Sequence, residues 1–189
     1  MVVHEPSPDL DAALAALAAQ DYPNRPITLV VPFPPGGSTT IVARMVADKL
    51  AEALGQQVVV DNRAGGGGNI GAEIVAKAPP DGHTLLMGQA GNLTINVSLM
   101  AKMPFDPVKD FAPVGRVVNF PNFLVVNTEL PIKNVQDVIA LAKAKPRSLS
   151  YGSAGNGTPP HISAELFKQM TGVDLTHVPY KGSAQALTD

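Results

Sequence analysis

Cysteine is absent from the sequence, which excludes disulfides, thiolate nucleophiles and Cys-ligated zinc, and leaves the compartment undecided. Any cluster of Lys and Arg is lacking too. Fourteen basic residues against sixteen acidic ones give a formal net charge of -2, and no stretch supplies the phosphate-neutralising row that a nucleic acid partner requires. No apolar run approaches the roughly 18 residues that span a bilayer, so membrane insertion is not expected. Catalytic signatures are missing as well. There is no G-x-S-x-G elbow, no P-loop lysine and no H-E-x-x-H, and the four histidines are scattered. The protein is therefore read as a non-enzyme that needs no cofactor and no metal.

What is present is a globular composition: 45% hydrophobic and 16% charged residues in 189, enough for one domain or two small lobes sharing a hinge. Residues 1–21 stand apart. Their Ala-rich run at 10–19 has the length of a signal-peptide core, but the opening Met1-Val2-Val3-His4-Glu5-Pro6 is acidic where a signal carries Lys or Arg. They are expected to be a disordered tail or a degraded signal.

From Ile27 onward short β-branched runs alternate with helical periodicity, the pattern of βαβ units around a parallel sheet. A strand at 27–31 meets the Pro32-Phe33-Pro34-Pro35-Gly36-Gly37-Ser38 turn, and a helix follows with Ser38 or Thr39 as its cap. Its expected apolar face is Ile41, Val42, Met45, Val46, Leu50 and Leu54, ended by Gly55. Further strands are expected at 58–60 and 84–88, with helices at 71–78 and 94–101. Pro104, Pro107 and Pro113 then interrupt regular structure before strands near 114–118 and 123–126. Residues 22–103 thus form a first lobe, and residues 104–189 a crossover and a partial second lobe. In that second part Asn134 caps a helix through Ala144 with Asp137 three residues on, followed by a strand at 149–151, a helix at 160–171 and a strand at 175–178.

The chemistry lies in loops of small residues between a strand and a helix start, at 32–39, 88–94 and 152–160. Such loops expose unpaired N–H groups at the positive end of a helix, a setting for an anion, and in open α/β sheets they gather at the carboxyl edge of the strands. Phe33 adds an aromatic wall to the first loop. Ser153 and Thr158 add hydroxyls to the three glycines of the last. His161, one turn into the following helix, either reaches the ligand or bonds its own loop. Lys181 either pairs with an anion or is solvated, and His83 and His177 read as structural. Gly66, Gly68 and Gly71 match G-x-G-x-x-G, but follow the second strand and lack the acidic residue about twenty positions on that binds a ribose.

The segments Tyr22-Pro23-x-Arg25-Pro26-Ile27, Val31-Pro32-Phe33-Pro34-Pro35-Gly36-Gly37, Asn62-Arg63-x-Gly65, Gly68-Asn69-Ile70-Gly71 and Pro80-Asp81-Gly82 resemble the solute receptors of tripartite tricarboxylate transporters, the Bug-type receptors. The likeness continues through Phe105-Asp106, Tyr151, Gly155-Asn156-Gly157-Thr158, His161 and His177-Val178-Pro179-Tyr180-Lys181-Gly182. It implies a type II periplasmic-binding-protein fold, two α/β lobes with mostly parallel sheets flanked by helices, closing on a carboxylate held by backbone amides. Carried over residue by residue, it places ligand contacts on Phe33, Gly36, Gly37 and Ser38, on Gly91 and Asn92, and on Ser153, Gly155, Gly157, Thr158 and His161. The pattern departs at Thr40, where the family commonly has Asp, and at Asn92-Leu93-Thr94, where it commonly has Thr-His-Ala.

The expected function is that of an extracytoplasmic receptor capturing a di- or tricarboxylate or an acidic amino acid, and passing it to the membrane components of a tripartite tricarboxylate transporter. Periplasmic placement is what the resemblance implies. Receptors of this kind run to about three hundred residues, so the second lobe is expected to be incomplete and the sequence truncated at its C-terminal end. The alternatives are an α/β enzyme that uses the same loops for phosphate or a nucleotide, and a receptor fragment without function.

Overall fold

The computed structural model describes residues 22–189; the expected tail or signal at 1–21 lies outside the described residues. Strand β1 (Ile27–Val31) is the centre of the first sheet, flanked by β2 (Val58–Asn62) and β3 (Thr84–Leu86). Both pairings are parallel, with Leu29 opposite Val60 on one side and Leu85 on the other. Being covered on both sides makes β1 a near-continuous apolar run, and Ile27, Leu29, Val30 and Val31 are all buried.

Helix α1 (Ser38–Leu54) connects β1 to β2 and ends in a left-handed Gly55, whose N–H returns to the Ala51 carbonyl, as the sequence anticipates. Its cap differs from the expectation. Gly37 is the N-cap, and Ser38 already lies inside the first turn. The buried face differs too. Thr39, Ala43 and Ala47, spaced by four, lie against the sheet, whereas Ile41 and Met45 are more than half exposed. Small side chains let the helix approach the strands closely; of the expected larger residues Val46 packs against the first core, while Val42, Leu50 and Leu54 lie along a broad open groove. Leu29, Val31, Phe33, Ala43, Ala47 and Met87 form the first core.

Helix α2 (Asn69–Ala76) follows the glycine run, and a wide π-type turn at Gly91–Ile95 leads into the short α3 (Asn96–Leu99). The second sheet pairs β4 (Ser150–Ser153) with β5 (Thr176–Pro179), again in parallel. Around it lie α4 (Val135–Ala144), α5 (Pro159–Thr171) and α6 (Ser183–Thr188), the last not anticipated from the sequence. Its core is small: Ala142, Val173 and Leu175, with Ile139, Leu149, Tyr151 and Phe167 packed against them. The Asn134 cap forms as expected, its Oδ1 accepting the Asp137 N–H at 3.0 Å. The Asp137 carboxylate reaches one residue further back than a capping box, to the Lys133 N–H at 2.8 Å.

The strands expected near 114–118 and 123–126 do not form. Residues 111–127 carry no regular structure, and Val114, Val117, Phe120, Phe123, Leu124 and Val125 are all at least half exposed. A β-rich composition makes a strand only when a neighbour accepts its backbone hydrogen bonds and covers its apolar face. Among the described residues neither is supplied here.

Candidate functional site

The first loop is built from below. Asn62 Nδ2 donates to the Phe33 carbonyl at 2.8 Å and to Thr40 Oγ1 at 2.9 Å, and Thr40 Oγ1 donates to the Pro34 carbonyl at 3.2 Å. These bonds clamp the turn to β2 and α1 through Asn62, which the sequence marked only as part of the resemblance, and Thr40, marked only as a departure from it. Gln89 Nε2 donates to Thr39 Oγ1, tying the turn to the second loop. The Phe33 ring is buried in the core rather than standing free among the amides. Gly36 takes φ +90°; Gly37 and Ser38, in contrast, face the open groove. The first bonds to the Gly37 carbonyl come from Thr40 and Ile41, which leaves the Ser38 and Thr39 amides without an intrahelical partner.

The glycine run forms a tight, left-handed passage at Gly65 to Gly68. A side chain at Gly71 would meet the Pro32 Cα at 2.8 Å, and one at Gly68 would meet the Phe33 ring at 3.3 Å. Close packing of the α2 start on the first turn accounts for these glycines, with no ribose-binding acid in play.

The second loop is held through Asn92, which is wholly buried. Its Oδ1 accepts the Gln89 N–H at 2.9 Å and its Nδ2 donates to the Gly68 carbonyl at 3.3 Å. Asn92 thus braces two loops; its polar atoms are spent on backbone. Asn96 and Asn69, both buried, are joined by a 2.9 Å bond from Asn96 Nδ2 to Asn69 Oδ1. Asn69 entered the sequence reading only as part of the Gly68-Asn69-Ile70-Gly71 resemblance, and Asn96 not at all, although a polar residue on a short apolar helix is the kind of signal that identifies it.

The third loop comes from the second sheet and reaches the first lobe. A Cβ on Gly91 would stand 3.0 Å from the Gly157 carbonyl oxygen, and one on Gly157 would collide with the Asn96 carboxamide. Ser153 Oγ accepts the Gly155 N–H at 3.1 Å, and Thr158 Oγ1 donates to the Gly155 carbonyl at 2.6 Å. Both hydroxyls hold the loop's own shape. His161 Nδ1 accepts the Gly157 N–H at 3.2 Å, so this histidine bonds its own loop. Pro159 and Pro160 open α5 and remove two of the amides that a helix start normally offers.

Behind this loop three rings stack. Tyr151 and His177 are paired across β4 and β5, with centroids 4.7 Å apart, and His161 lies 4.3 Å beyond His177. Tyr151 Oη donates to Glu165 at 2.6 Å, and Glu165 also takes Lys168 at 2.9 Å. The Tyr151 hydrogen bond, then Lys168, holds the Glu165 carboxyl below its ordinary value, and burial pushes the Tyr151 phenol up. His83 lies elsewhere, packed edge-on against Tyr22.

Where the lobes meet there is a cavity of about 460 Å³, walled by residues 65–67, 154–157 and 179–181 together with Asn96, Leu99 and Met100. Lys181 is the single charged side chain in its wall. Gly155 and Gly157 line it; Phe33, Gly37, Ser38 and Ser153 line the open groove instead. Among the described residues no group of three His, Asp or Glu is placed to hold a metal, and no helix is long and apolar enough to cross a membrane.

Residues 42–189 match the family model described as tripartite tricarboxylate transporter family receptor. A protein from the tcbD-tcbE intergenic region of Pseudomonas sp. strain P51 is 44% identical over 89% of this chain and 50% of its own length. Protein BugT of Bordetella pertussis is 42% identical over 93% of this chain and 54% of its own. Among solved structures, that of R. palustris Rpa4515 with adipate is 48% identical, with TM-score 0.87 over 89% of this chain and 56% of that one. MatC from Rhodopseudomonas palustris with bound malate is 36% identical, with TM-score 0.83 over 88% and 57%. The chain spans about half the length of the relatives it matches. Its two parallel sheets, their helices and these matches establish a periplasmic-binding-protein fold, and the chain belongs to the tripartite tricarboxylate transporter receptor family.

Proposed function

We propose that this protein takes part in capturing a small carboxylate outside the cytoplasmic membrane, for delivery to the membrane components of a tripartite transporter. The observation that carries the reading is the cavity between the lobes. Its volume of about 460 Å³ falls within the range of small-molecule sites. Its wall brings together five glycines, the polar Asn96 and Asn156, and one cation, Lys181. Such a wall offers a carboxylate backbone amides and the Lys181 charge. The adipate and malate held by two relatives support a dicarboxylate. The Ser38 and Thr39 amides across the open groove supply a second polar end, which hinge closure brings toward the ligand.

Thermal unfolding of the purified protein with a panel of adipate, malate, citrate, glutamate and phosphate esters tests this. A ligand that binds only the folded state raises the midpoint in a saturable way. A rise with one carboxylate and none with phosphate esters is expected. A rise with phosphate esters alone contradicts the reading.

A further inference from the structure

Asn96 begins the short helix α3 and is 3% exposed, and the surface it keeps lies in the wall of the cavity between the lobes. Its carboxamide is held in one orientation. Asn69, also buried, turns its Nδ2 toward the thioethers of Met100 and Met103. A thioether accepts hydrogen bonds and donates none, so the nitrogen of Asn69 faces the sulfurs and its oxygen faces away from them. That oxygen takes the Asn96 Nδ2 at 2.9 Å. The Asn96 oxygen is thereby left pointing the other way, toward Gly157, where an added Cβ would collide with it.

No donor among the described residues bonds Asn96 Oδ1. The one side-chain nitrogen or oxygen among the described residues that is sealed from solvent without a partner is His83 Nε2, so Asn96 Oδ1 is unpartnered and open to the cavity. A fixed and largely desolvated acceptor makes a demand on the ligand. A donor satisfies it, and a ligand without one covers it and leaves it unpaired. Asn156, the other carboxamide in the wall, is exposed; it can present either its nitrogen or its oxygen and exerts no such choice.

Lys181 is the single charged side chain in the same wall. The cation calls for a carboxylate and the acceptor for a donor. An ammonium donor would face Lys181 with no acidic side chain in the wall to offset it, so the donor that fits is an uncharged hydroxyl. We infer that Asn96 selects for hydroxylated carboxylates, its Oδ1 accepting a hydrogen bond from a ligand hydroxyl while Lys181 attracts the carboxylate. The inference rests on the carboxylate reading above and names the class of carboxylate.

Matched acids that differ by one hydroxyl test this: malate against succinate, and citrate against tricarballylate. They are titrated calorimetrically, with adipate and aspartate alongside, into wild type, Asn96→Leu and the double variant Asn69→Leu with Asn96→Leu. The single variant leaves Asn69 Oδ1 buried without a donor; the double variant removes both members of that bond, which spares the fold, and circular dichroism reports the folding of each. In wild type the hydroxylated member of a pair is expected to bind about tenfold more tightly than its partner, and aspartate more weakly than malate. In the folded variants the two members should bind equally, the loss falling on the hydroxy acid. Equal or reversed affinities within both pairs in wild type, tighter binding of aspartate than of malate, or a hydroxyl preference that persists in a folded variant would overturn the inference and leave the carboxylate reading standing. Binding of adipate alone would do the same. The wild-type comparison stands whether or not a variant folds. No binding of any of these acids to wild type would overturn the carboxylate reading, and this inference with it.

Discussion

Gly157 of the second lobe lies so close to Asn96 of the first that any side chain at 157 would collide with the Asn96 carboxamide oxygen. Gly157 also has φ +76°, a conformation that costs a non-glycine residue about 1–2 kcal/mol. Space and backbone therefore both require glycine, and the contact between lobes depends on it.

Gly157→Ala is accordingly expected to lower the unfolding free energy by at least that amount and to open the cavity between the lobes. Denaturant unfolding checks the first effect and carboxylate titration the second. Gly91→Ala, whose Cβ would stand 3.0 Å from the Gly157 carbonyl, has a milder version of the same clash. It should weaken binding with a smaller loss of stability.

Lys181 provides the cavity's charge. Under the proposed carboxylate binding, Lys181→Glu turns the cavity's cation into an anion that repels the ligand, and affinity for malate or adipate is expected to fall by about tenfold or more. Lys181→Met, which keeps the apolar stem, should fall less. Equal affinities for the three proteins, measured by titration, would remove Lys181 from the site.

Much of this architecture is legible in the residues. Parallel βαβ order, the Gly55 terminator and the Asn134 cap all follow from spacing and from the conformational demands of single residues, and all are present. The α1 face shows where periodicity stops short. Ile41 and Met45 fit a 3.6-residue stripe, yet the sheet takes the Thr39, Ala43 and Ala47 side, because close approach favours small residues and hydrophobicity alone does not encode it. The segment at 111–127 fails for a related reason: its composition is that of strands, but pairing is a property of the neighbour. At the site, glycine and hydroxyl content located the third loop. It did not reveal that Ser153, Thr158 and His161 satisfy the loop internally, since sequence shows which groups are polar and not which are already spent.

Val114 and Phe123 are 90% and 82% exposed, in a segment where the apolar residues are nearly contiguous. Surfaces of that kind associate. The 189-residue protein should show concentration-dependent association by sedimentation, and Val114→Ser with Phe123→Ser should reduce it. Because neither residue is buried, the thermal midpoint is expected to move by less than about 2 °C.

His177 gives a stability signature of its own. Its folded-state value lies below the ordinary 6.5, chiefly through burial, so the unfolded protein binds its proton more readily than the native one. Its contribution is fully present above pH 6.5 and declines as pH falls from there toward the depressed native value. The ligand-free midpoint should drop between about pH 7.5 and 5.5, and His177→Gln should flatten that drop. Glu165, held below its ordinary 4.5, loses its contribution only at lower pH, which keeps the two effects apart.

The most direct test uses Gly37, which caps α1 with nothing within 4 Å of where a side chain would begin. Gly37→Leu should therefore fold, at a cost of about 1 kcal/mol or less for the changed N-cap, while filling the groove beside the Ser38 and Thr39 amides. Calorimetric titration of adipate and malate into wild type and Gly37→Leu, with circular dichroism to verify folding, decides the matter. Saturable binding to wild type, weakened at least about tenfold in a folded Gly37→Leu, is the predicted result. Equal affinity in the two proteins, or no binding to a folded wild-type protein, would contradict the account.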